Sequence, residues 1–130
     1  MLAATRWGGA RVLVVEDDPA IREAMRRFLE IAGYTVATAD DGRSALRCLR
    51  LGPEPCVILL DNHMPGMDGR AFRAAQRRDP RLAAIPIVVC SADSPPEGDT
   101  RRPEWLQKPI DPETLITTVQ RYAAVPAPGA

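Results

Sequence analysis

The sequence predicts an α/β domain: a doubly wound parallel sheet with helices on both faces. Three observations carry that prediction. Short apolar runs alternate with segments of helical period. The runs are nearly continuous in apolar character, as expected of strands covered on both faces. A length of 130 residues suits one such domain and leaves no room for a second.

Each element follows from local signals. RVLVVED (residues 11–17) reads as the first strand. Asp18 then serves as N-cap and Pro19 as the first helical residue, with Ile21, Met25, Phe28 and Leu29 on one face and Gly33 as the stop. Met25 and Phe28 are core by this spacing. YTVATA (residues 34–39) alternates more than the other runs and fits an edge strand. In DDGRSALRCLRLG (residues 40–52), Ala45, Leu46 and Leu49 face inward until Gly52 and Pro53 end the helix. CVILLD (residues 56–61) is the third strand, and the helix after it starts near Asp68 and carries Ala71, Phe72 and Ala75 as far as Asp79 and Pro80. IVVCS (residues 87–91) and the weaker EWLQKP (residues 104–109) are the fourth and fifth strands. The last helix has Asp111 as N-cap and Pro112 at its first position, with Leu115, Val119 and Tyr122 on one face. Between the last two strands, ADSPPEGDTRRP (residues 92–103) holds three prolines and a glycine, so a turn or two of helix is the most expected there. Residues 1–9 and 124–130 read as flexible tails around a single domain over 10–123.

Composition narrows the function. Seventeen basic and seventeen acidic residues give zero formal charge, which leaves no net field to draw nucleic acid or anionic lipid. The start, MLAATRWGGA, lacks the apolar centre of a signal peptide, and no run approaches the ~20 residues that span a bilayer. A cytoplasmic location is the expectation, with neither direct nucleic-acid binding nor a membrane partner. The three cysteines, Cys48, Cys56 and Cys90, form no C-x-x-C pair and sit among apolar residues, as reduced core thiols do. Sixteen of the seventeen basic residues are Arg; the single lysine is Lys108.

In an open parallel sheet, ligands bind beyond the carboxyl ends of the strands. At those ends the sequence places Glu16, Asp17 and Asp18, then Asp61, Ser91 and Lys108. The other ends begin with Arg11, Cys56, Pro86 and Glu104. Carboxylates gathered at one edge either keep a proton or recruit a cation, and hard oxygen ligands suit Mg²⁺, which leaves coordination sites for a phosphate. A lysine supplies a compact charge for a phosphate oxygen and a serine a hydroxyl donor. Asp18, Asp68 and Asp111 are accounted for by helix capping; Asp17 and Asp61 are not.

VLVVEDDP, LLDNHMPGMDG, VVCSA and QKP, in that order, resemble the receiver domain of two-component response regulators across about residues 10–123. The resemblance implies a five-stranded sheet of order 2-1-3-4-5. It also implies that Asp61 is the phosphoacceptor, taking a phosphoryl group from a histidine kinase or a histidine phosphotransfer protein in a two-component or phosphorelay pathway. By the same similarity, Mg²⁺ is held by Asp17 and Asp61, by Glu16 through water and by the backbone carbonyl of His63. Ser91 and Lys108 contact the phosphoryl oxygens, and small Ala92 keeps the entrance open. The Lys108–Pro109 bond is cis, and 64–66 form the turn into the next helix. The chain is then a signalling domain that catalyses only its own phosphorylation and dephosphorylation.

Two departures bear on output. The switch pair of the family is a Ser or Thr, here Ser91, with a Tyr or Phe three residues before the lysine, where this chain has Trp105. The segment over 92–103 is shorter than usual and poor in helix formers, so the fourth helix is expected to be short or absent and the signalling face altered. These features keep a second reading in view, a pseudo-receiver that binds partners without responding to phosphate. A small-substrate phosphatase using Asp61 as nucleophile lacks a visible second general acid, and acidic strand ends disfavour a flavin phosphate.

Overall fold

The computed structural model describes residues 10–62, 69–95, 97–98 and 103–123. In chain order the elements are β1 (Arg11–Val15), α1 (Pro19–Ile31), β2 (Thr35–Ala39), α2 (Gly42–Leu51), β3 (Val57–Asp61), α3 (Gly69–Arg78), β4 (Ile87–Ser91), β5 (Glu104–Gln107) and α4 (Pro112–Ala123). The strands pair in parallel, as their apolar runs predict, and in the order β2-β1-β3-β4-β5 that the resemblance implies. No helix lies between β4 and β5 among the described residues, in line with the three prolines of that segment. Nor is any described helix long and apolar enough to cross a membrane.

Alternation along the central strands splits the core into two layers. Leu13, Val15, Ile58 and Leu60 point to one face of the sheet and pack with Ala45, Leu46 and Leu49 of α2 and Phe72 of α3. Val12, Val14, Val57 and Leu59 point to the other and pack with Met25 and Leu29 of α1 and Leu115 and Val119 of α4. Burial of each such Leu, Val or Phe side chain stabilises the fold by about 1.5–3 kcal/mol. The three interior strands are buried almost throughout, while β2 and β5 remain partly exposed, as strands at a sheet edge do.

The starts of α1 and α4 follow the predicted caps, and Asp41 caps α2 without having been predicted to. The Asp18 carboxylate accepts from the backbone amides of Ala20 at 2.9 Å and Ile21 at 3.3 Å, and Asp41 and Asp111 accept from the amides of Ser44 and Thr114. Gly33, with φ of +102°, occupies the left-handed conformation that ends α1.

Two core assignments are corrected. Phe28 is 41% exposed and Ile21 also lies open, because none of the described elements covers the flank of α1 that bears them. On α3, Ala71 is exposed and Gln76 is buried instead. Its amide donates to the carbonyls of Leu82 and Ile85, at 2.8 and 2.9 Å, and so satisfies the turn that leads into β4. The predicted tails over 1–9 and 124–130 lie outside the described residues, as do Asp68, the turn over 64–66 and His63.

Candidate functional site

Parallel pairing brings the predicted residues to one edge. Val15 of β1 is opposite Leu60 of β3, so the next residues, Glu16 and Asp61, extend adjacent strands at the carboxyl end. The Glu16 amide bonds the Ala39 carbonyl at 3.0 Å, which keeps the chain in register one residue past β1. Asp61 is opposite Cys90, and Ser91 opposite Gln107. The Lys108 amide bonds the Ser91 carbonyl at 2.8 Å, so the lysine leaves β5 beside the end of β4. The Lys108–Pro109 bond is cis.

One carboxylate oxygen from each of Glu16, Asp17 and Asp61 lies within 4.8 Å of the others. Glu16 and Asp61 are buried and Asp17 is exposed. Lys108 Nζ reaches across, 2.7 Å from Glu16 Oε1 and 3.5 Å from Asp61 Oδ1. Burial, and next to it the neighbouring Asp61, push the Glu16 carboxyl up to about 7 against the pull of Lys108. For Asp17 a slight burial acts upward, but bonds to Asp61 and Glu16 outweigh it and hold its carboxyl below the usual value. Of these two, Glu16 is the acid that more readily keeps a proton, while the exposed Asp17 stays ionised. Lys108 would be lowered by burial, yet Glu16 and then Asp61 hold it above the ordinary lysine value.

Three crowded hard-oxygen ligands, one facing solvent, fit a Mg²⁺ ion that keeps part of its water shell. Ser91, at the end of β4, is buried, and its Oγ accepts from the Asp93 amide at 3.1 Å. Of the residues assigned from sequence, Glu16, Asp17, Asp61 and Lys108 therefore converge, and Ser91 stands beside them on the next strand. Trp105 lies on the outermost strand, opposite Val89. It is half-buried on β5, and its indole N–H donates to the Asp93 carbonyl at 2.9 Å.

Several supporting residues escape a reading of sequence. The Arg22 guanidinium donates to the carbonyls of Glu16 at 2.9 Å and Asp17 at 3.4 Å, fixing the loop that carries both acids. Gln107 donates to the Ala92 carbonyl at 3.3 Å. Gly69 lets α3 start against β3: a Cβ there would lie 2.9 Å from Asn62 Oδ1 and 3.2 Å from the Asp61 carbonyl. A Gly after a turn-forming segment was the only available signal for the last.

Residues 12–120 match the response regulator receiver domain family. The chain is 35% identical over 115 residues to the DNA-binding dual master transcriptional regulator RpaA of Synechocystis, covering 85% of this chain and 47% of that protein. It thus spans about half the length of that relative, and a smaller share of others. Among solved structures, chemotaxis protein CheY4 of Vibrio cholerae superposes with a TM-score of 0.80 at 37% identity, covering 88% of this chain and 99% of that one. The receiver domain of a sensor histidine kinase from Pseudomonas aeruginosa, solved with a magnesium ion coordinated in its active-site cleft, gives 0.79 at 26% identity, covering 91% and 100%. The chain belongs to the response regulator receiver family, and its fold is the CheY-like receiver fold. Receiver domains are signalling domains of two-component systems.

Proposed function

We infer that Asp61 accepts a phosphoryl group from a phosphohistidine on a histidine kinase or histidine phosphotransfer protein. A carboxylate oxygen of Asp61 forms the new O–P bond as the N–P bond breaks, and the departing imidazole takes up a proton. The observation that carries this reading is the convergence of three carboxylates and one ammonium at the strand ends. Phosphoryl transfer depends on positioning and charge neutralisation more than on covalent help from the protein. Asp17 and Asp61 would hold Mg²⁺, with Glu16 through water and the carbonyl of His63 as the family resemblance implies. When bound, the metal neutralises charge on the phosphoryl oxygens.

The chain's own groups do the rest. Lys108 lies within reach of Asp61 and exchanges its bond to Glu16 for one to a phosphoryl oxygen. Ser91 supplies a hydroxyl from β4, and Trp105, bonded to the carbonyl two residues on, ties β5 to any movement of that loop. These two form the switch. An apolar cavity of about 450 Å³ runs from Lys108 along α1, between Ile21 and Phe28 on one side and Pro109 and Ile110 on the other. It gives the donor protein a surface beside the acceptor, and accounts for the open flank of α1. Residues 10–123 form the signalling unit, acting in the cytoplasm and catalysing only its own phosphorylation and dephosphorylation.

Incubation with acetyl phosphate and Mg²⁺, read by intact mass, tests the assignment. The parent gains one phosphoryl group and Asp61→Asn gains none. No uptake by the parent, under conditions that label a control receiver, overturns the reading in favour of a pseudo-receiver.

A further inference from the structure

The formal charge of zero conceals a strongly polarised surface. On α2, Arg43, Arg47 and Arg50 recur at helical spacing, all exposed, and the helix has no Asp or Glu. On α3, Arg70, Arg73 and Arg77 repeat the pattern with Arg78 beside them, again without an acid. The two helices pack on the same face of the sheet. Arg50 Nε lies 3.9 Å from Asp79 Oδ2, just past the end of α3, so the C-terminal end of the α2 stripe meets the end of α3. Acids border this layer at Asp40, Asp41, Glu54 and Asp79, but none lies on either helix, while Glu16, Asp17, Asp18 and Asp61 gather at the carboxyl edge. A field of this kind acts locally, whatever the total charge.

An apolar groove of about 360 Å³ opens at the far end of the same layer, between the last turn of α2 and the start of β1. Leu13, Ala37, Cys48 and Leu49 line it, and Leu51 stands on its rim, 81% exposed. Arg11 and Arg47 flank it, and neither has a carboxylate within 4.0 Å among the described residues. Arg47 joins the groove to the α2 stripe, and Arg50 carries that stripe towards the end of α3.

We propose that this α2–α3 surface docks an acidic protein segment bearing apolar side chains. Its carboxylates meet the arginine stripes, and one apolar side chain enters the groove beside Leu51. Guanidinium groups pair with carboxylates in a fork geometry and are weakly hydrated, so their desolvation costs less than that of an ammonium. An apolar anchor ringed by polar contacts is also the usual layout of an energetic centre in an interface.

Two observations favour a polypeptide over nucleic acid, which basic helices also attract. The groove is apolar, and a phosphodiester backbone has nothing to fill it with. The only aromatic residue on α2 or α3 is Phe72, which is fully buried, so bases have no platform to stack on. The surface also lies on the opposite side of the sheet from α1 and α4. An acidic partner can therefore bind while a phosphoryl donor occupies the α1 flank.

The test measures anisotropy of a fluorescein-labelled amphipathic helical peptide, Glu on its polar face and Leu on its apolar face, titrated with the full chain. A Gln version of the peptide and a labelled oligouridylate are run alongside. The Glu peptide binds and weakens as salt rises, while the Gln version binds at least about tenfold less tightly. The triple variant Arg43→Glu, Arg47→Glu, Arg77→Glu loses at least about tenfold in affinity and Leu51→Ser a few-fold, with uptake from acetyl phosphate unchanged in both. Should the triple Glu variant fold poorly by circular dichroism, the Gln triple at the same positions gives the same loss to a smaller degree. Absence of peptide binding at low salt, equal binding by the arginine variants, or tighter binding of the oligouridylate each overturns the proposal.

Discussion

Removing the ammonium of Lys108 tests how the carboxylate cluster is held together. Lys108→Met keeps the apolar stem and deletes the charge. Glu16, 2% exposed, loses a 2.7 Å bond, and Asp61 loses a cation 3.5 Å away. Breaking a buried pair by deleting one partner costs about 3–5 kcal/mol. Here Lys108 keeps 20% exposure, and the Asp18 amide still donates to Glu16 at 3.2 Å. Those two facts place the cost near or below the lower end, at about 2–3 kcal/mol. At roughly 4 °C per kcal/mol for a chain of this length, Tm falls by about 10 °C in metal-free buffer. Urea and thermal unfolding with chelator present measure it. Mg²⁺ at about a hundredfold over its Kd then returns about 2.7 kcal/mol, and more to the variant than to the parent, whose ammonium competes for the same oxygens. A variant as stable as the parent without metal, or one that Mg²⁺ stabilises no more than the parent, refutes the reasoning.

Other outcomes follow from single contacts. Gly69→Ala should destabilise by up to about 2 kcal/mol in urea unfolding, against the ~1 kcal/mol gain usual for this change in a helix, because the new Cβ meets the Asp61–Asn62 backbone; a gain in stability would show that α3 can shift freely. The Tyr122 phenol is pushed up to about 12, first by burial and then by its bond to Glu104. A raised value of this kind contributes stability below the ordinary tyrosine range that is lost as pH climbs through about 12. In spectrophotometric titration, Glu104→Gln brings one of the two tyrosines to a lower pH and leaves Tyr34 in place. Glu104 itself carries the opposite sign: burial acts upward, but Tyr122 and Arg121 outweigh it and depress the carboxyl, so its contribution is present at neutral pH and lost in acid. The same substitution therefore flattens the acid limb of the stability profile.

Much of this was legible because local rules and the fold agree. Asp18 before Pro19, the unbroken run of β3 and its closing Asp61 each specify a position on the backbone, and parallel pairing carries them to one edge. What escaped depends on contacts between distant segments. Phe28 shares the spacing of Met25 and Leu29, and it is exposed because none of the described elements covers it. Gln76 shares the helical spacing of Phe72 but is polar, and its partners, Leu82 and Ile85, lie in a turn with no period to announce it. The bond from Lys108 to Glu16 joins residues 92 apart, beyond any local pattern. Charge balance misled in another way: a sum over the chain says nothing of the arginines that gather on α2 and α3, helices without an acid of their own.

The division of the core by the sheet has a consequence for coupling between mutations. Leu49 and Val119 belong to different layers, with three buried strands between them. Their truncations should therefore add, with an interaction energy near zero, whereas Leu49 and Phe72 in one layer should not. Among the described residues the strands are shared by both layers, and Asp61 ends the central one, β3. A perturbation there reaches both halves of the molecule at once, which a perturbation within either layer cannot do.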